Sequence, residues 1–399
     1  MIKFYALTTA FHIALKISFP KQKSYTGFIV KLSIAATALS VAAIILTLSI
    51  VNGFQESISN KVFQFWGHVR ISSVNGAPIE NQNNPSFKAL PYIKSYTPFL
   101  NQSCVLSYGQ DIEGVVVKGI PANTAIPFIT KGKWLHKKTD SNNNEIVISD
   151  ALANKLNIPA DSIIRLYFMS NGSVQQRKMK VAGFYHSGIE EYDRQFVFVD
   201  IHLLQKLNQN NQQIEGYEVV LKDGIDRVAA TNEIQKKLPD NWVATNITDY
   251  YPQIFDWINV QTVNRNVTIT ILLIIAIVNL LTCLFILMLE RVNMIGTLSA
   301  MGATHNLIRT IFLFQASLIC WTGIGLGALI GIGLSLLQQK FGFIQLDEAA
   351  YFIKVLPVKM YFTQTLYVII GTAVISYISF LIPTLWIKRI PSAKAIKFD

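Results

Sequence analysis

Four stretches of the chain carry no charged residue and are long enough to cross a hydrocarbon core, which takes roughly 20 apolar residues at ~1.5 Å rise each. They cover residues 32–54, 267–289, 311–337 and 366–387. Such runs point to one fold class, an α-helical membrane protein with four transmembrane helices. Of the 399 residues, 51% are hydrophobic and 15% charged, the balance of a membrane protein rather than of a large soluble enzyme.

Lysine and arginine decide which side is which, because cytoplasmic segments carry their excess. Residues 1–31 hold Lys3, Lys16, Lys21, Lys23 and Lys31 with no acid, and 388–399 hold Lys388, Arg389, Lys394 and Lys397 against Asp399. The loop over 290–310 adds Arg291 and Arg309. These three pieces, with both termini, are predicted to be cytoplasmic, which leaves 55–266 and the short loop 338–365 outside. The net charge of +11 requires no nucleic acid: residues 53–266 hold 21 basic and 20 acidic side chains, a balance of +1. Most of the excess therefore sits in the cytoplasmic flanks, where it fixes topology and meets anionic headgroups.

The first run is too long for a removable signal peptide, and its lysine-rich lead suits an uncleaved anchor. Cys283 and Cys320 fall in spans and Cys104 stands alone outside, so the outer segment forms no disulfide within itself. The Asn-x-Ser/Thr triplets at Asn101, Asn171 and Asn246 are too short a motif to carry weight.

The outer segment is long enough for a core of its own, and two subdomains are expected, the inner one over about 110–215. Its patterns alternate. EGVVVKGI (113–120) is a β-branched run ending in glycine, and NEIVISDALANKLNI (144–158) reads as a strand leading into a helix capped by Ser149 or Asp150. Residues 162–185 read as two strands around a turn at Ser170-Asn171-Gly172, and 216–247 as strand, helix, strand. An α+β domain is expected. The acidic patch EEYDR (190–194) reads as a solvated loop rather than a metal site, with His186 too isolated to change that.

The cytoplasmic segment ERVNMIGTLSAMGATHNLIRT (290–310) is short, but its pattern is informative. Met294, Ile295, Leu298 and Met301 fall on one helical face, Gly302 supplies a C-terminal stop, and Thr304 caps the next helix. Two readings fit that pattern: a helix lying on lipid headgroups, or a knob that docks into a partner through adaptable methionines. The chain has no Gly-x-x-x-x-Gly-Lys-Ser/Thr loop, so energy from ATP would have to come from a separate subunit.

One span, a large outer domain and three further spans resemble the permease family that includes MacB, FtsX and the lipoprotein-releasing LolC/LolE subunits. LSIVNGFQESI (48–58) resembles the Asn-Gly-Phe signature of the LolC/LolE branch, and ERVNMIGTLSAMGAT resembles its ATPase-docking coupling helix. AAYFIKVLPVKM (349–360) resembles its Tyr-Phe-Ile-x-x-Leu-Pro motif, and IPTLWIKRIPSAKAIKF (382–398) its C-terminal pattern, with Pro383 and Pro391 in register. The resemblance runs nearly end to end.

It implies a MacB-like periplasmic core in the bacterial inner membrane, and a non-catalytic permease that binds no cofactor. ATP and Mg²⁺ would sit on a partner ABC ATPase dimer. Two permease chains, identical or different, would pair and admit the acyl chains of a lipoprotein from the outer leaflet. ATP binding would then expel the lipoprotein toward a periplasmic carrier. The resemblance makes Glu290, Arg291, Met294, Ile295, Leu298, Met301 and Gly302 candidate ATPase-coupling residues. Candidate cavity residues are Ile44, Leu48, Val51 and Phe54, with Val263, Val267 and Ile271 facing them, and Tyr351 and Leu356 of the later motif. For these, ordinary span packing or lipid contact is the competing reading. Asn52 either terminates the first helix or orders the junction between span and outer domain.

One feature departs from the pattern. LolC-type chains carry a long hairpin, the hook, that seizes the carrier, whereas the turn here is short, which counts against direct capture by residues 168–177. The chain then fits a non-hook partner, a single-type homodimer, or a carrier docking elsewhere. The competing function is mechanotransmission, as in MacB-like efflux or FtsX-like control of wall hydrolases. MacB carries a fused ATPase and FtsX-like chains a smaller outer domain, and both points count against it. Peptide-sensing permeases with ten spans, and membrane enzymes, fit less well still.

Overall fold

The computed structural model describes residues 10–15, 25–82, 85–125, 128–132, 144–170, 173–347, 351 and 353–385. Lys3, Lys16, Lys21, Lys23, Pro391, the tail over 388–399, and Asn171 and Gly172 of the expected turn lie outside these residues. The chain divides into a helical unit (Met1–Gln55, Ile258–Gln345, Val355–Asp399) and an α+β unit (Glu56–Trp257, Leu346–Lys354).

Helix α1, Tyr25–Trp66, contains 42 residues and is therefore about 63 Å long. It outlasts its apolar run because helical hydrogen bonding does not depend on apolarity, and Gln55 to Lys61, polar except for Ile58, continue it. Asn52 and Gly53 therefore do not terminate it. The stop is Gly67 at φ +73°, in the left-handed region that costs other residues a Cβ clash, with its N–H donating to the Phe63 carbonyl at 2.8 Å.

In the α+β unit the described strands are β1 Val69–Ser73, β2 Ile79–Glu80, β3 Ile93–Tyr108, β4 Asp111–Ile120, β5 Ile129–Gly132 and β6 Glu145–Ser149. They continue as β7 Ile163–Ser170, β8 Ser173–Tyr185, β9 Phe196–Asp200, β10 Gln213–Ile214, β11 Gly216–Leu221 and β12 Trp242–Asn246. The main sheet runs β12-β1-β11-β3-β4-β9-β6-β8-β5, with β7 bridging β3 and β8. The long strand β3 pairs with β11 along its first half (Phe99 opposite Gly216) and with β4 along its second (Leu100 opposite Gly119). Pairing is antiparallel except for β4 with β9 and β6 with β8. The hairpin β7–β8 is closed, Ser170 standing opposite Ser173. Its alternation points Leu166 and Phe168 into the core with Ile146, Ile148 and Leu106.

Short helices cover the sheet: α2 Asp150–Lys155, α3 Glu190–Gln195, α4 Ile201–Leu207, α5 Arg227–Gln235 and α6 Ile247–Tyr250. Of the two cap candidates for α2, Ser149 does the capping: its Oγ accepts from the Leu152 N–H at 3.0 Å.

The helical unit continues with α7 Pro252–Glu290, α8 Val292–Ala300, α9 His305–Phe341 and α10 Phe362–Leu385. Helices α1, α7, α9 and α10 are long and apolar enough to cross a membrane. Along α9, Gly323, Gly327 and Gly331 recur every four residues and so share one face. A Cβ at Gly323 would lie 2.8 Å from Thr37 Cβ, one at Gly327 2.5 Å from the Ala38 carbonyl oxygen, and one at Gly331 3.1 Å from Ala42 Cα. Helices α1 and α9 thus meet backbone to backbone, the arrangement small residues allow where lipid gives no hydrophobic drive for association. Val41, Ile45, Leu284, Phe312, Ile324 and Phe380 fill the space around this seam.

Two outcomes follow from the packing. Gly327→Leu forces the helices apart and should lower stability by about 1–3 kcal/mol or more, whereas Gly325→Leu, which meets open space, should leave the thermal midpoint of the detergent-solubilised chain unchanged. The second concerns His68, whose Nδ1 accepts the Leu221 N–H at 3.2 Å and whose ring stacks on Phe63 at 4.6 Å. Burial first, then the Arg227 charge, lowers its pKa from 6.5 to about 4. The unfolded chain therefore binds the extra proton between those values, so His68 contributes stability that is complete above about pH 6.5 and lost toward pH 4. Thermal midpoints measured from pH 7 to 4 should fall more steeply for the wild type than for His68→Gln, which cannot titrate.

Candidate functional site

Asn52-Gly53-Phe54 and the run before α10, separated by 300 residues, meet in the helical unit. A Cβ on Gly53 would lie 2.5 Å from the Pro357 carbonyl oxygen and 2.8 Å from the Lys359 nitrogen, so only glycine admits the segment so close to α1. The Lys359 N–H donates to the Ser49 carbonyl at 2.9 Å, which fixes that segment to the helix backbone.

Asn52 is buried, and both ends of its amide are engaged. Nδ2 donates to Gln364 Oε1 on α10 at 2.6 Å, and Oδ1 accepts from the Arg265 guanidinium on α7 at 3.2 Å. Two further glutamines add to the network. Gln55 Nε2 reaches Thr262 Oγ1 at 2.6 Å and the Ile258 carbonyl at 3.1 Å, and Gln338 Nε2 on α9 donates to the Leu356 carbonyl at 3.1 Å. Amide side chains thus tie α1 to α7 and α10, and α9 to the segment preceding α10. Arg265, Gln338 and Gln364 were not singled out in the sequence. The available signal was a polar residue flanking each apolar run, which by itself reads as an interfacial anchor.

The cavity candidates separate into different environments. Ile44 is 1% exposed and packed into the helical unit, so it lines no open surface. Leu48, Val51 and Phe54 are half-buried. Val263, Val267 and Ile271 are exposed and continue into an exposed stripe with Ile274 and Val278. The reason is register: along α7 these residues recur at steps of four, four, three and four, which puts them on one face, while Ala276, Leu280, Cys283 and Leu284 occupy the inner one. Leu356 is half-buried, its N–H donating to the Ile344 carbonyl at 3.0 Å, and Tyr351 in the α+β unit is exposed.

The segment over 290–302 folds as read, but its sticky face turns inward. Ile295 is 4% exposed and packs with Leu287, Met288, Ile308 and Phe312, and Met294 and Leu298 lean on the same cluster. Ile295 therefore serves the fold and is not available to a partner. Glu290 and Met301 are exposed, Met301 at 79%, and Arg291 is half-buried. Gly302 ends the turn at φ +91°, and Thr304 Oγ1 caps α9 by accepting from Leu307.

The acidic patch 190–194 is not a solvated loop. Its Asp193 is buried and accepts from the Ser187 N–H at 2.9 Å, from Ser187 Oγ at 2.6 Å and from the Gly188 N–H at 3.3 Å, with His186 Nδ1 3.3 Å away. Burial pushes its carboxyl above the ordinary value while these donors pull the other way. A nearby groove of about 550 Å³ is lined by Lys131, His186 and Lys354 as well as Asp150, Glu190 and Asp193. That mixed-charge lining does not suit an apolar ligand, which would leave its charges desolvated.

Comparison with known proteins bears on these features. A family model described as MacB-like periplasmic core domain matches residues 32–237, and one described as FtsX-like permease C-terminal matches 266–392. The chain is 22% identical to the lipoprotein-releasing system transmembrane protein LolC of Xylella fastidiosa, over 97% of this chain and 98% of that protein. It is also 22% identical to the corresponding LolE of Haemophilus influenzae, over 98% of this chain and 99% of that protein. The solved periplasmic region of MacB from Actinobacillus actinomycetemcomitans is 14% identical, covering 47% of this chain and 92% of that one, with a TM-score of 0.33.

The junction makes a test independent of any activity. Asn52→Ala should cost about 1–3 kcal/mol, since buried interhelical hydrogen bonds are worth about 0.6–1.7 kcal/mol each. If the network is as described, adding Gln364→Leu to that variant costs less than it does in the wild-type chain. Additive thermal shifts would contradict the contact.

Proposed function

Because the chain belongs to the MacB-like periplasmic core domain family and continues into an FtsX-like permease C-terminal region, we propose that it is the permease subunit of a lipoprotein-releasing system. It extracts lipoproteins from the outer leaflet of the bacterial inner membrane and passes them toward the outer membrane. The end-to-end match to LolC and LolE proteins carries this reading.

The need for ATP follows from the cargo. Each buried CH₂ of an acyl chain is worth about 0.8 kcal/mol, so a triacylated protein leaves a bilayer too slowly without work being done. This chain is not the enzyme that does it: hydrolysis, with its ATP and Mg²⁺, belongs to a partner ABC ATPase dimer. The four long helices sit in the inner membrane with both termini cytoplasmic, which the excess of lysine and arginine in those segments favours. The ATPase docks on the cytoplasmic segment through Glu290, Arg291 and Met301, with Met294, Leu298 and Gly302 holding its shape and Ile295 anchoring it. A second permease chain, identical or related, faces the Val263, Val267 and Ile271 stripe. Acyl chains enter between the two, past Leu48, Val51 and Phe54. A periplasmic carrier accepts the product.

Depletion of the protein from its host, followed by separation of inner and outer membranes, tests the proposal. Triacylated lipoproteins should accumulate in the inner membrane. Normal sorting, accompanied by altered wall cleavage, would place the chain with mechanotransmission permeases instead.

A further inference from the structure

Lys118 lies in the middle of β4, where a core strand would ordinarily carry valine or isoleucine, and it is 1% exposed. Its ammonium donates to the Phe65 carbonyl at 2.7 Å and pairs with Glu218 of β11 at 2.7 Å. It also stands 4.2 Å from the ring centre of Trp66 and 4.8 Å from that of Phe65. Phe65 and Trp66 are the last two residues of α1, so the Phe65 oxygen is one of the carbonyls a helix leaves without a partner at its end. A cation there also meets the negative end of the helix dipole.

The same helix end is held once more, through the backbone. The His68 N–H donates to the Val219 carbonyl of β11 at 2.8 Å, and a Cβ on Gly67 would lie 2.9 Å from that oxygen. Only Gly67 and His68 separate α1 from β1. A second buried cation, Arg70, pairs with Glu215 and lies between the rings of Phe99 and Tyr250, at 4.5 and 4.4 Å.

A buried ion pair is a poor way to gain stability, since apolar residues of the same size commonly do as well or better. What an ammonium group provides is direction: it requires acceptors at fixed positions, and here those acceptors belong to a helix end and to a neighbouring strand. We propose that Lys118 is a positioning residue that latches the end of α1 to β4 and β11, so that a displacement of this one continuous helix moves the sheet with it. The latch rests on the permease function proposed above: it is the step by which work done at the cytoplasmic segment reaches the domain that hands over cargo.

The test uses the full chain in complex with its ATPase partner in lipid nanodiscs. Amide hydrogen exchange is followed in residues 111–120 and 216–221 with and without ATP plus vanadate, alongside ATP hydrolysis and release of a triacylated lipoprotein. Lys118→Met combined with Glu218→Leu removes both charges and leaves the site apolar. This variant should fold and hydrolyse ATP, but its nucleotide-dependent change in exchange, and the lipoprotein released per ATP, should fall about fivefold or more, the lower end of ordinary coupling between sites. A folded double variant with a wild-type exchange response overturns the proposal.

Should the double variant not fold, Asn60→Pro breaks α1 at an exposed position and leaves the latch intact. It must show the same loss, and a wild-type response there also overturns the latch. A wild-type complex whose β4 and β11 respond to nucleotide but which releases no lipoprotein refutes the substrate and leaves the latch standing. A wild-type complex with no response in those strands refutes the latch, whatever it releases.

Discussion

In the helical unit, α1 and α9 approach until backbone touches backbone, and three glycines on one face of α9 are what make the approach geometrically open. Between two apolar helices in lipid there is little hydrophobic gain from association, so close van der Waals contact over a long seam has to supply the attraction. Everything around the seam depends on it. Val41 and Ile45 on α1, and Phe312 and Ile324 on α9, complete a core that has no alternative filling once the helix axes are set. The same spacing brings Gly53 against Pro357, because α1 is then close enough to the segment preceding α10 for a bare Cα to be required.

The junction around Asn52 shows what a polar residue does at the end of such a seam. A buried amide without partners would be costly, and here each of its ends finds a different helix: Gln364 on α10 and Arg265 on α7. Directional bonds of this kind fix rotation about the helix axes, which apolar packing alone leaves loosely set. Further along α1, at its C-terminal end, Lys118 and Glu218 bring the same logic to the α+β unit. Both sets of polar groups fix orientation, a pattern suited to a protein whose proposed work is to move.

Much of this could be read from the residues. The charge-free runs found the long helices, β-branched alternation found β4, β6, β7, β8 and β11, and Gly302 with Thr304 marked the turn between α8 and α9. Local signals succeeded because each depends on neighbours in sequence. What depends on distant partners was misjudged. Ile295 looks the same on a docking face as in a core, and only its contacts with Ile308 and Phe312 decide. Asp193 in a string of acids looks solvated until Ser187 and Gly188 are seen to surround it. Ile44 and Val267 are both aliphatic residues within apolar runs, yet one is buried and the other exposed, because apolar composition gives no phase to a helix in lipid. The glycine stripe at 323, 327 and 331 did carry a periodic signal, at the four-residue spacing that brings helices together.

Transfer of cargo out of the bilayer can be measured directly. The purified permease and its ATPase partner would be reconstituted in proteoliposomes holding a labelled triacylated lipoprotein, and soluble label would be counted after ATP is added. ATP-dependent release of the triacylated form is expected, with a version lacking its acyl chains failing to stimulate hydrolysis. Robust ATP hydrolysis with the label retained in the bilayer, in the presence of any soluble acceptor from the host periplasm, would contradict it.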